Sequence, residues 1–141
     1  MIEKKIHYIW FGNSKPEKVL KCIESWKEKL PDYEIMEWNE KNFDIRNEIK
    51  KNKFFKECYQ RKLWAFVADY VRVKVLYEYG GIYFDTDIEV LKSFDDLLNT
   101  EIFLGYENDS KGINLAVIGI KKKHIVMKKM IEFYEEKIWK S

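Results

Sequence analysis

Two aspartates one residue apart, Asp85 and Asp87, follow directly on the apolar run Ile82-Tyr83-Phe84, and this placement is the strongest chemical signal in the chain. In extended backbone residues i and i+2 project to one side, so carboxylates at this spacing can hold a hard divalent cation through oxygen. Repulsion between the two acids favours such an occupant. Ligands of open α/β sheets bind at the carboxyl ends of strands, which is where these acids stand if 82–84 is a strand. Upstream, Asp69 and Arg72 are three residues apart in a helical pattern and share a helix face. They read either as a surface ion pair or as groups facing the acids across a cleft, and the tendency of ionisable groups to converge at sites favours the second. A phosphohydrolase with an aspartyl nucleophile also places acid after an apolar strand. That reading leaves the Asp69/Arg72 helix unexplained, and such a motif would normally sit on the first strand.

The elements that must position these residues alternate between strands and helices. Ile6-His7-Tyr8-Ile9-Trp10-Phe11 is apolar at nearly every position and predicts a strand buried on both faces, ending at Gly12-Asn13. Ser14-x-x-Glu17 with Pro16 between them has the form of a capping box, and Val19, Leu20, Ile23 and Trp26 recur at helical spacing until Leu30-Pro31. Residues 33–38 predict a second strand and 39–44 a polar loop. Between 54 and 79 no Gly or Pro intervenes, and Leu63, Phe66, Val67, Tyr70, Val73 and Tyr77 form one apolar stripe, which predicts a single long helix. Gly80-Gly81 ends it, and the strand 82–84 follows. Extended backbone over 88–91, a helical turn over 94–98, strands over 102–106 and 113–120, and an amphipathic helix over 123–140 complete an α/β sandwich around a mostly parallel sheet.

Composition narrows the function. With 141 residues the chain predicts a single domain, 1–141. Lys+Arg of 26 against Asp+Glu of 24 leaves a net charge of +2, too balanced for a protein whose affinity comes from coating phosphates, so no nucleic acid is expected as a partner. Cys22 and Cys58 lack C-x-x-C spacing and read as buried free thiols. The apolar stretch 6–11 is too short for a signal-peptide core, and the window 63–84 is broken by Asp69, Arg72, Lys74 and Glu78. A soluble, cytoplasmic protein is the expectation. The lysines 121–123 and the amphipathic helix after them allow peripheral contact with the inner face of a membrane at most, packing on the sheet being the better reading.

Four segments in order, Ile6-His7-Tyr8-Ile9-Trp10-Phe11-Gly12, Pro31-Asp32-Tyr33-Glu34-Ile35-Met36-Glu37-Trp38-Asn39, Ala65-Phe66-Val67-Ala68-Asp69-Tyr70-Val71-Arg72 and the stretch 79–87, resemble glycosyltransferase family 32. This is the sugar-transferring family with the Asp-X-Asp (DXD) motif. It includes capsular polysaccharide synthesis enzymes and yeast initiating mannosyltransferases, with clostridial glucosylating toxins as distant relatives. The resemblance implies a GT-A, Rossmann-like fold, a mixed and mostly parallel sheet flanked by helices. It also implies transfer of a sugar, usually with retention, from a nucleotide diphosphate donor with Mn²⁺ or Mg²⁺. By the same resemblance Asp87 would ligate the metal, and Asp85 would contact ribose or sugar and help hold the hydrated ion. Asp69 and Arg72 would bind donor-sugar hydroxyls and the phosphate side, Trp10 would stack on the nucleobase, Tyr83 would line the nucleotide pocket, and Asn114 would face donor or acceptor sugar.

Trp10 and Tyr83 read equally as core aromatics, Asn114 as an ordinary strand-start residue, and His7 as a satisfied core histidine outside the site. A UDP-sugar is favoured as donor over GDP-mannose, and the acceptor expected is a glycan or lipid-linked glycan of surface or capsular polysaccharide synthesis. Family members carry a late histidine near a Gly-Ser-Trp motif. Ile138-Trp139-Lys140-Ser141 does not match it and His124 falls too early, so a donor half without the family's C-terminal segment is expected. The alternative to a working transferase is a nucleotide-sugar-binding module impaired in catalysis.

Overall fold

The computed structural model describes residues 1–12, 14–109 and 112–136, apart from the side chains of 106–115. The two apolar runs become the centre of the sheet. Strands β1 (Lys5–Ile9) and β3 (Gly81–Phe84) pair in parallel and are buried along almost their whole length, as continuous apolar runs require. After β1 come helix α1 (Glu17–Lys29) and strand β2 (Glu34–Trp38), which pairs with β1 on the other side. Three helices, α2 (Ile45–Lys51), α3 (Lys53–Gln60) and α4 (Trp64–Tyr79), then lead into β3. A short 3-10 turn (Asp95–Leu97), the hairpin β4 (Ile102–Asp109) and β5 (Gly112–Ile120), and helix α5 (Ile125–Glu136) close the chain. The sheet order is β2-β1-β3-β5-β4, and only β5 runs against the other four strands.

Alternation along the strands divides the core into two layers. Ile6, Tyr8, Ile82, Phe84 and Val117 meet Val19, Cys22, Ile23 and Trp26 of α1. Ile9, Tyr83, Ile118 and Ile120 face Val67, Tyr70, Val71 and Met127 of α4 and α5. Trp26 is fully buried, with its ring 5.1 Å from Phe84, and its indole N–H donates to the Ile88 carbonyl at 2.7 Å. The Ser25 hydroxyl accepts from the Val90 N–H at 3.0 Å. Helix α1 thus fixes the path of the chain just beyond the two aspartates.

The turn from α4 into β3 needs its glycines. Gly80 and Gly81 have φ of 66° and 115°, and a Cβ on Gly81 would come within 2.6 Å of the Lys5 carbonyl oxygen. His7 secures the same turn. Its Nδ1 accepts from the Trp38 indole at 3.0 Å, which leaves Nε2 to donate to the Gly80 carbonyl at 2.8 Å. Burial, the largest influence, lowers its pKa and keeps the ring neutral.

Several local expectations are corrected. The single helix over 54–79 divides at residues 61–63, where Lys62 takes a left-handed φ of 57°. A lysine in the position usually held by glycine left no break in the pattern. Helix α2 was not anticipated. Helix α1 starts from Pro16 with no side-chain cap, so Ser14 and Glu17 form no capping box. Met127 and Ile131 of α5 are buried against the sheet. No helix of the described residues is long and apolar enough to cross a membrane. Cys22 and Cys58 are buried free thiols.

Candidate functional site

The chain leaves β1 toward β2 on one side and returns to β3 on the other, so a crevice opens at the carboxyl ends of β1 and β3. Such switch points are where open α/β sheets bind ligands. Residues Trp10-Phe11-Gly12 leave β1 here, and Asp85-Thr86-Asp87 leave β3. The Asp85 N–H still donates to the Ala116 carbonyl of β5 at 3.0 Å, but the Ile88 N–H donates back to the Asp85 carbonyl at 3.1 Å. Extended geometry therefore ends at Asp85, and the expectation that it persists through both acids is corrected. Asp85 stays half-buried beside Tyr83, while Asp87 stands exposed in the turn.

Helix α4 brings Asp69 and Arg72 to the same place. The Arg72 guanidinium carbon lies over the Tyr83 ring, 5.3 Å from its centroid, and Nη2 is 3.2 Å from Asp69 Oδ1. The pair is a local ion pair, and its arginine lies against Tyr83, two residues before Asp85. The Arg72 side chain is only 15% exposed, and its Nε is buried with no hydrogen-bond partner among the described residues. An unspent guanidinium donor of this kind calls for an acceptor.

Burial pushes the Asp85 carboxyl above its usual range, against the pull of a Tyr83 hydrogen bond and of Arg72, while Asp87 and Asp69 add to the rise. Burial also raises Asp69, opposed by Arg72. Tyr83 is raised, first by burial and then by Asp85. Three carboxylates beside one guanidinium leave the crevice an excess of negative charge, which suits a cation. The described residues contain no group of three or more His, Cys, Asp or Glu able to hold a metal. A hydrated octahedral divalent cation takes only one or two carboxylates, and the oxygen donors of Asp85 and Asp87 are of that type.

Trp10 sits at the same end of the sheet but against the α1 layer, half-buried, with its backbone N–H donating to the Trp38 carbonyl at 2.9 Å. Asn114 lies on β5 opposite Glu107, and its side chain is outside the described ones. Three further residues border the crevice that sequence reasoning did not single out for it. Phe11 stacks on Trp64 of α4 at 5.9 Å. Tyr134 of α5 packs edge-on to Tyr70 at 5.7 Å and lies within electrostatic reach of Asp69 and Arg72. The direct adjacency of Phe11 to Trp10 was a usable signal for the first, whereas only the docking of α5 reveals Tyr134.

The end of the sheet at this switch point thus brings an acidic pair and a buried guanidinium together in an α/β fold. Residues 16–104 match the family described as "Glycosyltransferase sugar-binding region containing DXD motif", and the chain belongs to that family. Asp69, Arg72, Tyr83, Asp85 and Asp87 all fall within the matched stretch. The chain is 34% identical over 125 residues to inositol phosphoceramide mannosyltransferase 3 of Schizosaccharomyces pombe, covering 87% of this chain and 34% of that protein. It is 29% identical over 118 residues to subversion of eukaryotic traffic protein A of Legionella pneumophila, covering 67% of this chain and 18% of that protein. The chain thus spans about a third or less of these curated relatives. Among solved structures, the PaToxG glycosyltransferase superposes with a TM-score of 0.66 at 19% identity, covering 93% of this chain and 58% of the other, a likeness of fold.

Proposed function

We propose that the crevice binds the diphosphate of a nucleotide-sugar donor and that the chain forms the donor half, residues 1–141, of a metal-dependent, retaining glycosyltransferase. The observation that carries this reading is the buried Nε of Arg72, unpartnered among the described residues, beside Asp69 and Asp85 at the end of β3. Asp87 and Asp85 would hold Mn²⁺ or Mg²⁺, which when bound neutralises charge developing on the departing diphosphate. Arg72 donates its fork to a phosphate oxygen, a contact that its seat over Tyr83 and its bond to Asp69 keep oriented. Asp69 and Asp85 accept hydroxyl hydrogens of sugar and ribose. Trp10 offers the base an aromatic face from the α1 side, and Asn114 is assigned to the sugar on its position in β5.

The activity that names the yeast relative adds mannosyl transfer and a lipid-borne acceptor to this proposal. A lipid-linked glycan of surface or capsular polysaccharide synthesis shares with inositol phosphoceramide a polar head on an apolar anchor. A chain acting on it from the cytoplasmic side would do so as a peripheral protein. Because the chain spans so little of its curated relatives, donor binding without turnover is the second reading.

Calorimetric titration with UDP-glucose, UDP-galactose and GDP-mannose, with and without Mn²⁺, tests the proposal, followed by a donor-hydrolysis assay. Metal-dependent binding of at least one donor is expected, with a UDP-sugar the first choice. Hydrolysis of that donor supports the transferase and its absence the binding module, while no donor binding at all overturns both.

A further inference from the structure

Tyr134, in the last turn of α5, brings a half-buried phenol to the border of the crevice, and among the described residues its hydroxyl makes no hydrogen bond. Its counterparts do. Tyr8 donates to Glu37 at 2.7 Å, Tyr33 to Asp95 at 2.7 Å and Tyr70 to Glu48 at 2.6 Å, and Tyr83 bonds to Asp85. Burial raises all five phenols, yet only Tyr134 lacks a carboxylate to take its proton. A phenol drawn into a protein normally finds such a partner.

The position of Tyr134 is fixed from two sides. Its ring stands edge-on to Tyr70 at 5.7 Å, and Tyr70 is itself buried and held by Glu48. Its backbone is tied down by Asn52, which is only 1% exposed. The Asn52 amide donates to the Tyr134 carbonyl at 3.1 Å, while its Oδ1 accepts from the Phe55 N–H at 3.0 Å. This junction locks the end of α5 to the start of α3. A hydroxyl held in place before a ligand arrives costs little ordering when it binds.

Asp69 and Arg72 both act on this phenol, Asp69 raising it and Arg72 lowering it, and burial keeps it protonated at neutral pH. A carboxylate only accepts hydrogen bonds and a guanidinium only donates them, whereas a phenol does both. A phosphate oxygen only accepts, and Arg72 serves it. A sugar hydroxyl both donates and accepts, so it is matched by a carboxylate with a phenol beside it.

We infer that the Tyr134 hydroxyl hydrogen-bonds the sugar of the donor, making the end of α5 a sugar-reading wall of the crevice. The inference rests on the proposed donor site, and it adds a residue that lies outside the family-matched stretch 16–104.

Calorimetric titration of the unaltered chain and of Tyr134→Phe with UDP-glucose and with UDP, each with Mn²⁺, tests this. GDP-mannose and GDP take their place where that donor binds better. The variant keeps the ring and its contact with Tyr70, so it should melt like the unaltered chain. It is expected to bind the donor about fivefold more weakly, the scale of one hydrogen bond, and to bind the sugar-free nucleotide unchanged. Equal donor affinity of the two chains overturns the inference. Equal weakening toward donor and sugar-free nucleotide also overturns it, because a disturbed helix and not a lost sugar contact would be the cause. Failure of the unaltered chain to bind any donor overturns the donor site and this contact together, whereas donor binding that Tyr134→Phe leaves intact overturns this contact alone.

Discussion

Helix α4 carries two polar clusters that differ in one respect. On one face the Tyr70 hydroxyl donates to Glu48 Oε2 at 2.6 Å, and Lys74 Nζ lies 3.5 Å from the other oxygen, so a carboxylate that is only 5% exposed is fully engaged. On another face Arg72 is held by Asp69 yet keeps a buried Nε without a partner among the described residues, next to carboxylates that burial has pushed up. The first cluster spends its hydrogen bonds within the protein and ties α2 to α4. The second leaves the Arg72 Nε without a partner among the described residues, beside two desolvated acids. Satisfied polar groups specify a fold, and unsatisfied ones at a crevice point to a ligand.

The largest expected effect breaks the second cluster alone. Asp87→Ala should weaken metal-dependent donor binding by about 100-fold, the scale of losing one preorganised electrostatic contact. Its melting temperature should stay close to that of the unaltered chain, because Asp87 is exposed and makes no structural bond among those described. Calorimetry and a thermal melt check both halves, and undiminished metal-dependent affinity would remove Asp87 from the site.

Tyr70→Phe breaks the first cluster in the opposite way. It leaves Glu48 buried without its hydroxyl donor and should destabilise the fold by about 1–3 kcal/mol. Urea unfolding measures this, and donor affinity should remain within about twofold. A stable Tyr70→Phe protein with impaired donor binding would erase the distinction between the clusters.

Arg72→Lys sharpens the comparison further. An ammonium keeps the charge but cannot reproduce the fork, so donor affinity should fall about tenfold with little change in stability. The smallest effect is a gain. Because burial raises Asp85, the folded chain holds this proton to higher pH than the unfolded chain does. The group's stabilising contribution is therefore complete below its ordinary value of 3.8 and is lost as pH rises through the raised value. Asp85→Asn should accordingly melt slightly higher than the unaltered chain at pH 7, with the advantage gone near pH 3, while donor binding is lost. Melting curves at the two pH values check the sign.

Much of this arrangement is legible in the sequence. The apolar runs 6–11 and 82–84 declared the two central strands because burial on both faces leaves no polar alternation. Gly80-Gly81 marked the turn that aims β3, and the i, i+3 spacing placed Asp69 and Arg72 on one face. What escaped notice depended on contacts distant in sequence or on backbone that residue type does not announce. Lys62 breaks the long helix without Gly or Pro, and the turn after Asp85 depends on a carbonyl that Ile88 reaches back to. Helix α2 is seven residues long and capped by Asp44, too short for its periodicity to stand out. Tyr134 borders Asp69 only because β5 runs antiparallel and returns α5 to the carboxyl end of the sheet.

The claim that the unpartnered Arg72 donor marks the donor site, and that the Glu48 cluster does not, is tested most directly by one titration series. UDP-glucose, or whichever donor binds best, is titrated with and without Mn²⁺ into the unaltered chain, Arg72→Ala and Tyr70→Phe under conditions where all three are folded. The account predicts Mn²⁺-dependent binding by the unaltered chain and by Tyr70→Phe, and none detectable for Arg72→Ala. Binding by Arg72→Ala equal to that of the unaltered chain would contradict it.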